Sequence, residues 1–134
     1  MVVVEAIIGR RMGDVWRAFV DTDKLPQWVP GLRDARVIEE GPEGLPLEIQ
    51  FEFVTGSIYS LVYAYDFDAH TISWKPRVGE LDGISGSATF EDNDRGTKFT
   101  YANQQSPGRR AIERAIDDPH DLVAAFQRFM ETKK

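Results

Sequence analysis

The sequence contains no cysteine in its 134 residues. Disulfide bonds, thiolate nucleophiles and cysteine-ligated metal sites are therefore excluded, and a reducing cytoplasm is the expected location. Histidine is also scarce, with two in the chain. The glycine-rich loops that cradle phosphates, the serine turn of hydrolases and the paired histidines of zinc proteases are missing as motifs. The sequence therefore lacks the signatures of these catalytic machineries.

Basic residues are outnumbered by acidic ones. The chain has 16 Lys and Arg against 22 Asp and Glu, which gives a formal net charge of −6. Nucleic-acid binding depends on clustered basic side chains, so we expect no nucleic-acid partner. No apolar run approaches the roughly 20 residues that a membrane-spanning helix needs. The opening segment MVVVEAII has no basic residue and contains Glu5, so it predicts a strand rather than a signal peptide.

The first thirty residues predict one strand followed by two short helices. Val2–Ile8 is short and rich in β-branched residues, which favours a strand. A first helix is predicted by apolar residues at helical spacing, namely Met12, Val15, Trp16, Phe19 and Val20. Pro26 and Pro30 limit the next apolar segment, which carries Trp28, to about one helical turn.

Alternation of apolar and polar residues predicts six further strands. Leu47–Phe53 alternates most clearly, and Ser57–Phe67 places three tyrosines on one face. The other predicted strands carry Ala35 and Val37, then Ile72, Trp74 and Val78, then Ile84 to Phe90, and finally Phe99 to Asn103. Pro76 suggests an edge or a bulge in the fifth strand. Because short turns join most of these strands, the sheet is predicted to be antiparallel.

The C-terminal region predicts an interrupted helix. Ser106 and Pro107 form a cap-then-proline start. Asp118 and Pro119 repeat that signature, so we expect two segments, roughly 107–117 and 119–132.

Four segments resemble motifs of one superfamily. Val15-Trp16 matches its aromatic pair in the first helix, and Asp21 to Trp28 matches an aspartate followed by a tryptophan near a proline. Asp68 to Trp74 resembles the turn and strand after the central hairpin. Gly96-Thr97 resembles the start of the last strand. Together, over nearly the whole chain, they resemble the START-like, or SRPBCC, superfamily, and most closely its polyketide cyclase/dehydrase and lipid-transport group.

This resemblance implies an α+β helix-grip fold in a single domain over residues 1–134. A seven-stranded antiparallel sheet would wrap round a long C-terminal helix, with two short helices after the first strand. The expected function is binding of a small hydrophobic molecule, such as a lipid, quinone or polyketide, in a cavity between sheet and helix. No metal and no tightly bound cofactor are implied. The break at Pro119 departs from the usual continuous helix.

Aromatic residues supply the candidate cavity lining. The chain has three Trp, four Tyr and eight Phe, which suit an apolar ligand. The tyrosine stripe of the fourth strand fits either a pocket or an outer surface, and Trp28 fits either the cavity rim or a plug between the helices and the sheet. The predicted lining comprises Trp28, Phe51, Phe53, Tyr63, Tyr65, Trp74, Arg77, Tyr101 and Asn103.

Two alternatives to ligand binding stay open. A cyclase or dehydrase acting in the same cavity would need polar groups, which Arg77, Tyr63, Tyr65 and Asn103 could supply. A protein-interaction module would use an exposed Trp28 or a sheet edge. His70 is predicted to be solvated in a turn, and the group Asp117, Asp118, His120 and Asp121 fits helix capping better than metal binding. The oligomeric state is expected to be a monomer or a homodimer.

Overall fold

The computed structural model describes residues 2–77, 84–105 and 118–132. The chain opens with strand β1 and two short helices, as the sequence predicts. These elements are β1 (Val2–Ile8), α1 (Met12–Val20), a 3₁₀ turn (Thr22–Lys24) and α2 (Leu25–Trp28). Six strands and a helix follow, namely β2 (Leu32–Glu40), β3 (Pro46–Phe53), β4 (Ile58–Asp66), β5 (Thr71–Pro76), β6 (Ile84–Asn93), β7 (Gly96–Gln105) and α3 (Pro119–Thr132).

The strands form one antiparallel sheet in the order β1-β7-β6-β5-β4-β3-β2. Consecutive strands are neighbours from β2 to β7, because short turns return the chain beside the strand it has just left. The first strand then pairs with the last, with Val4 opposite Tyr101 and Ile8 opposite Thr97. The predicted seven-stranded antiparallel sheet is confirmed.

The helices α1, α2 and α3 pack on one face of this sheet, called here the inner face. It carries the apolar members of each alternating strand, such as Phe51, Leu61 and Phe99. α1 contacts β6 and β7, α2 contacts β2, and α3 contacts β1, β7 and α2. Phe126 of α3 is fully buried and lies 5.1 Å from Phe99, centroid to centroid. The helices thus close the core over the inner face.

Hydrogen bonds attach α3 to the first strand and the loop after it. Gln127 Nε2 donates to the Ile7 carbonyl at 2.9 Å, and Arg10 Nε donates to the Met130 carbonyl at 3.0 Å. The Gly9 amide donates to Glu131 Oε2 at 3.0 Å. These bonds hold the second half of α3 in place against β1 and the loop that follows it.

The start of α3 agrees with the predicted cap. α3 begins at Pro119, and Asp118 Oδ1 accepts a 2.8 Å hydrogen bond from the His120 amide. Such a side-chain cap satisfies one of the amides that a helix start leaves without a partner. The predicted segment 119–132 is confirmed, whereas the predicted segment 107–117 lies outside the described residues.

The glycine and threonine that open β7 lock the sheet to the loop after β1. Gly96 has φ +136°, and a Cβ at this position would lie 2.2 Å from the Ile8 carbonyl oxygen. Thr97 is fully buried, and its hydroxyl donates a 2.7 Å bond to the Arg10 carbonyl. Only a residue without Cβ allows this approach of the two backbones.

The fifth strand differs from the sequence-based expectation. β5 lies inside the sheet, between β4 and β6, rather than at an edge. Pro76 ends β5 opposite Leu61 of β4, beyond Trp74, the last residue of β5 that pairs with β6. The missing amide of the proline therefore falls where the β5–β6 ladder has already ended. Val78, which was expected to extend this strand, lies outside the described residues.

Candidate functional site

An apolar cavity lies between the inner face of the sheet and the helices. Strands β3 to β7 form its floor, and α1 and α2 form its roof, while α3 contributes a single side chain among the described residues. The lining consists of Phe19, Val20, Leu25, Trp28, Val29, Pro46, Ile49, Phe51, Phe53, Tyr59, Leu61, Tyr63, Tyr65, Ile72, Trp74, Ile84, Tyr101 and Leu122. Every polar side-chain group in this lining is an indole N–H or a phenol hydroxyl.

The cavity is narrow and partly open to solvent. The volume open to the centre of a water-sized sphere inside the cavity is about 60 Å³. One water molecule needs about 10–15 Å³ by the same measure. Counted out to the open mouth, the empty space is about 620 Å³. A few waters fit the cavity as it stands, and a larger molecule requires side chains at the mouth to move.

The local sequence explains why α1 and α2 form a roof here. Asp21 Oδ1 accepts a 3.1 Å bond from the Asp23 amide and so starts the short 3₁₀ turn between the two helices. Pro26 lies in the first turn of α2, where its missing amide leaves no intrahelical bond unmade. The chain therefore bends sharply enough to bury both Leu25 and Trp28.

Trp28 and Trp74 face the cavity from the roof and from the floor. The Trp28 ring packs 4.5 Å from Phe126 and 5.8 Å from Phe19, and the Trp74 ring packs 5.3 Å from Tyr101. Each tryptophan is about 6 % exposed. Within the described part of the chain, neither Nε1 has a hydrogen-bond partner.

Two tyrosines of β4 remain protonated far above neutral pH. Burial raises the pKa of Tyr63 well above its ordinary value, and the nearby Tyr101 and Tyr65 phenols raise it further. Burial also raises the pKa of Tyr65, whose hydroxyl donates a 2.5 Å bond to the Pro46 carbonyl. Part of the Tyr63 surface is accessible because it borders the cavity, yet the surrounding protein excludes most bulk water. Both phenols are therefore neutral hydrogen-bond donors.

The structure brings seven of the nine predicted lining residues to the cavity. These are Trp28, Phe51, Phe53, Tyr63, Tyr65, Trp74 and Tyr101. The tyrosine stripe, for which the sequence allowed a pocket or an outer surface, thus lies on the inner face. Trp28 lies against Phe126 and Phe19 and also lines the cavity, so it combines the two positions considered for it.

Arg77 and Asn103 are not among the lining residues. Arg77 comes three residues after Trp74, and its side chain lies on the outer face of the sheet. Its exposed guanidinium is 3.8 Å from the Glu48 carboxylate. The alternation of the strand already contains this signal, since residues three apart point to opposite faces. Asn103 shares the inner face with Tyr101 and is buried in the same row of the sheet as Gly86 and Trp74, but its side chain is not part of the described cavity lining.

Sequence reasoning missed several apolar lining residues. Leu61 shares the β4 face with Tyr63, and Ile49 shares the β3 face with Phe51, so strand alternation was sufficient to find both. Phe19 belongs to the predicted helical stripe of α1. What the sequence did not indicate is that this stripe covers the cavity rather than solid core.

Both histidines lie outside the described lining of the cavity. His70 is exposed in the β4–β5 turn, with φ +48°, and His120 pairs with Asp118 at the exposed start of α3. Among residues 2–77, 84–105 and 118–132, no three His, Cys, Asp or Glu side chains are grouped closely enough to hold a metal. No helix in these same ranges has the length and apolar character needed to cross a membrane.

Solved structures share this fold at low sequence identity. A START superfamily protein from Mycobacterium smegmatis is similar at a TM-score of 0.75 and 11% identity, covering 97% of this chain and 96% of its own. Protein CV1439 from Chromobacterium violaceum gives a TM-score of 0.71 at 16% identity, with 98% of both chains covered. No family model and no curated protein sequence matches this chain.

A third similar structure is the di-domain ARO/CYC StfQ of the steffimycin biosynthetic pathway. The TM-score is 0.71 at 15% identity, and the match covers 98% of this chain but 44% of StfQ. Together with the sheet order and the helix positions, these matches show the fold of this chain. It has the START-like (SRPBCC) helix-grip fold, as the sequence motifs predict.

Proposed function

We propose that this protein binds a small hydrophobic molecule, of the lipid, quinone or polyketide-like kind, in the cavity between the sheet and the helices. The observation that carries this proposal is the open cavity whose described lining is entirely apolar or aromatic. Burial of apolar ligand surface contributes about 25 cal/mol per Å². A partly open cavity with apolar and aromatic walls can therefore hold a hydrophobic molecule without any charged contact.

The shared fold supports the same proposal. The proteins that resemble this chain include a START superfamily protein and an ARO/CYC of the steffimycin biosynthetic pathway. The same arrangement of sheet and helices leaves a cavity in this chain, and we infer that the cavity is the working site.

A pair of variants on β4 tests the site. Leu61 lines the cavity, whereas its neighbour Val62 lies on the outer face of the same strand. In a titration with the neutral hydrophobic dye N-phenyl-1-naphthylamine, wild-type protein should bind one equivalent saturably. Leu61→Phe should weaken binding about tenfold or more, because the added ring occupies the cavity.

Val62→Phe is the matched control, because it adds the same ring on the opposite face. It should bind the dye as wild type does. Equal loss in both variants, or no saturable binding to the wild-type protein, would contradict a cavity site. Circular dichroism of each variant checks that the fold is retained.

The alternative function is that of a cyclase or dehydrase acting on a polyketide-like molecule. Similarity to the ARO/CYC StfQ over 98% of this chain favours it. Of the polar groups considered for that chemistry, Tyr63 and Tyr65 border the cavity, and Tyr65 is engaged by Pro46. The test is turnover of an aromatic polyketide analogue by wild type and Tyr63→Phe. Unchanged turnover would exclude Tyr63 as a catalytic residue.

Other expectations remain predictions. They are the single domain over residues 1–134, the cytoplasmic location, the monomeric or homodimeric state, and the third possibility of a protein-interaction module. Dye binding together with a monomer or dimer mass in solution would favour the ligand-binding protein. A stoichiometric protein partner without dye binding would favour the interaction module.

A further inference from the structure

Two indole N–H groups in the cavity wall lack hydrogen-bond acceptors. Trp28 and Trp74 both line the cavity, and within the described part of the chain the Nε1 of each is buried without a partner. A buried donor left without an acceptor destabilises a protein by about 1–3 kcal/mol. Because buried polar groups in native proteins are nearly always satisfied, two such donors in one cavity call for an explanation.

The two indoles are close enough for one molecule to contact both. The ring centroid of Phe19 lies 5.8 Å from that of Trp28 and 6.1 Å from that of Trp74. The two indole centroids are therefore no more than about 12 Å apart. Trp28 comes from α2 in the roof, and Trp74 comes from β5 in the floor. Each Nε1 is itself buried, so a ligand between the two rings would reach these N–H groups after a small movement of the side chains around them.

The rest of the lining disfavours a charged ligand. None of the described lining residues is Asp, Glu, Lys, Arg or His. An ionised carboxylate moved into such surroundings loses its hydration without gaining an opposite charge. An indole N–H donates and does not accept, so a ligand group beside it must be an acceptor. Carbonyl and ether oxygens meet both conditions.

We propose that the cavity selects an uncharged molecule with at least two oxygen acceptors, such as a diketone, quinone or diester, and that Trp28 and Trp74 donate to these oxygens. This inference rests on the proposed ligand-binding function and adds to it. It makes the two tryptophans specificity-determining residues, and it predicts rejection of pure hydrocarbons and of carboxylate anions such as free fatty acids.

Three probes with the same two-ring skeleton separate these conditions. Naphthalene has no acceptor, 1,4-naphthoquinone has two carbonyl oxygens, and 1-naphthoate is an anion. The chain has no cysteine to react with the quinone. Calorimetric titration should give 1,4-naphthoquinone about tenfold tighter binding than naphthalene. 1-Naphthoate should bind more weakly than either.

Trp28→Phe and Trp74→Phe remove the N–H and keep an aromatic ring. Each should weaken 1,4-naphthoquinone binding about tenfold, while naphthalene binding stays within about twofold and reports an intact cavity. Equal affinity of wild type for naphthalene and the quinone, or equal loss of both in the variants, would overturn the donor assignment and leave cavity binding standing. Binding of none of the three probes would overturn both proposals.

A measurement on the unmodified protein covers the case in which a variant fails to fold. The chain has three tryptophans, so its indole region in a ¹H–¹⁵N correlation spectrum should hold three Nε1–H signals. The signals of Trp28 and Trp74 should move downfield with 1,4-naphthoquinone and not with naphthalene. Trp16 does not line the cavity and serves as the internal control. Bound quinone without these two shifts would refute the assignment.

Discussion

At the scale of the residue, the tyrosines of β4 show how the fold changes side-chain chemistry. An exposed tyrosine ionises near pH 10. In the folded protein burial raises the pKa of Tyr63, with help from Tyr101 and Tyr65, and burial also raises that of Tyr65. Both phenols therefore stay uncharged throughout the physiological range, like the rest of the described lining. Their ionisation is thus coupled to folding.

The sign of this coupling predicts alkaline destabilisation. Above about pH 10 the unfolded chain loses phenolic protons that the folded protein retains, so the free energy of unfolding should fall as pH rises. The limiting slope is about 1.4 kcal/mol per pH unit for each such tyrosine. Below about pH 9 these groups should have no effect.

Urea unfolding of wild type and Tyr63→Phe, between about pH 8 and pH 11, measures this effect around the ordinary tyrosine pKa. The variant should lose stability less steeply than wild type above about pH 10. Parallel curves over the whole range would show that Tyr63 does not contribute. The difference between the two proteins cancels the titration of the remaining tyrosines and lysines.

Gly96→Ala should destabilise the protein, because it combines an unfavourable φ with a contact. The φ of +136° is strained for any residue with a Cβ, and that Cβ would lie 2.2 Å from the Ile8 carbonyl oxygen. We expect a loss of about 1–3 kcal/mol in the free energy of unfolding. Denaturant midpoints measure it.

Gly56→Ala is the control, since Gly56 also has a positive φ, +89°, but has nothing within 4 Å of its Cβ position. This variant should lose only about 1 kcal/mol. If the two variants were equally stable, the approach between the Ile8 carbonyl and the start of β7 would not matter.

At the scale of the element, α3 is a helix held at both ends. Asp118 caps its start, and Gln127 ties its second half to the Ile7 carbonyl of β1. Its inner side buries Val123, Phe126 and Met130. This packing explains how a helix of 14 residues closes one side of the sheet.

Asp118→Ala should lower the free energy of unfolding by about 1 kcal/mol, because the His120 amide loses its side-chain acceptor. Asp118→Asn retains an oxygen that can accept this bond, so it should remain close to wild type. Thermal unfolding followed by circular dichroism compares the three proteins. A loss of the same size in Asp118→Asn would assign the effect to charge rather than to capping.

The elements themselves were largely predictable from sequence. The bounds of β1 agree with its run of β-branched residues, and α3 starts at the predicted Asp118-Pro119 cap. Both could be predicted because capping and steric preferences act within a few residues. Pro76 was misleading for a related reason. The rule that places proline at an edge is local, whereas the length over which β5 pairs with β6 depends on the position of both strands.

At the scale of the whole molecule, burial is greatest where strands have neighbours on both sides. Ile72 of β5, Ala88 and Phe90 of β6, and Phe99 of β7 are completely buried. β2 is an edge strand and is mostly exposed. β1 is the other edge strand, but α3 packs on it. Stability should therefore be unevenly distributed across the sheet.

Amide hydrogen exchange should reveal this gradient. The slowest amides are expected in β6 and β7, those of β1 should be intermediate, and those of β2 should exchange fastest among the strands. Exchange measured by NMR at residue resolution checks the order. Protection of β2 equal to that of β6 would contradict it.

The sequence by itself determined the strands, the two short helices and the cap of α3, because these follow from local sterics and a fixed side-chain period. Alternation puts Arg77 on the face opposite to Trp74, so its position outside the cavity could have been found from the sequence, whereas the inward direction of the β4 tyrosines was decided by the tertiary structure. Only the tertiary structure decided which inward residues border empty space. That depends on how far α1 and α2 stand from the sheet, which no local rule specifies. Tertiary packing likewise left the indole N–H groups of Trp28 and Trp74 without an acceptor among the described residues.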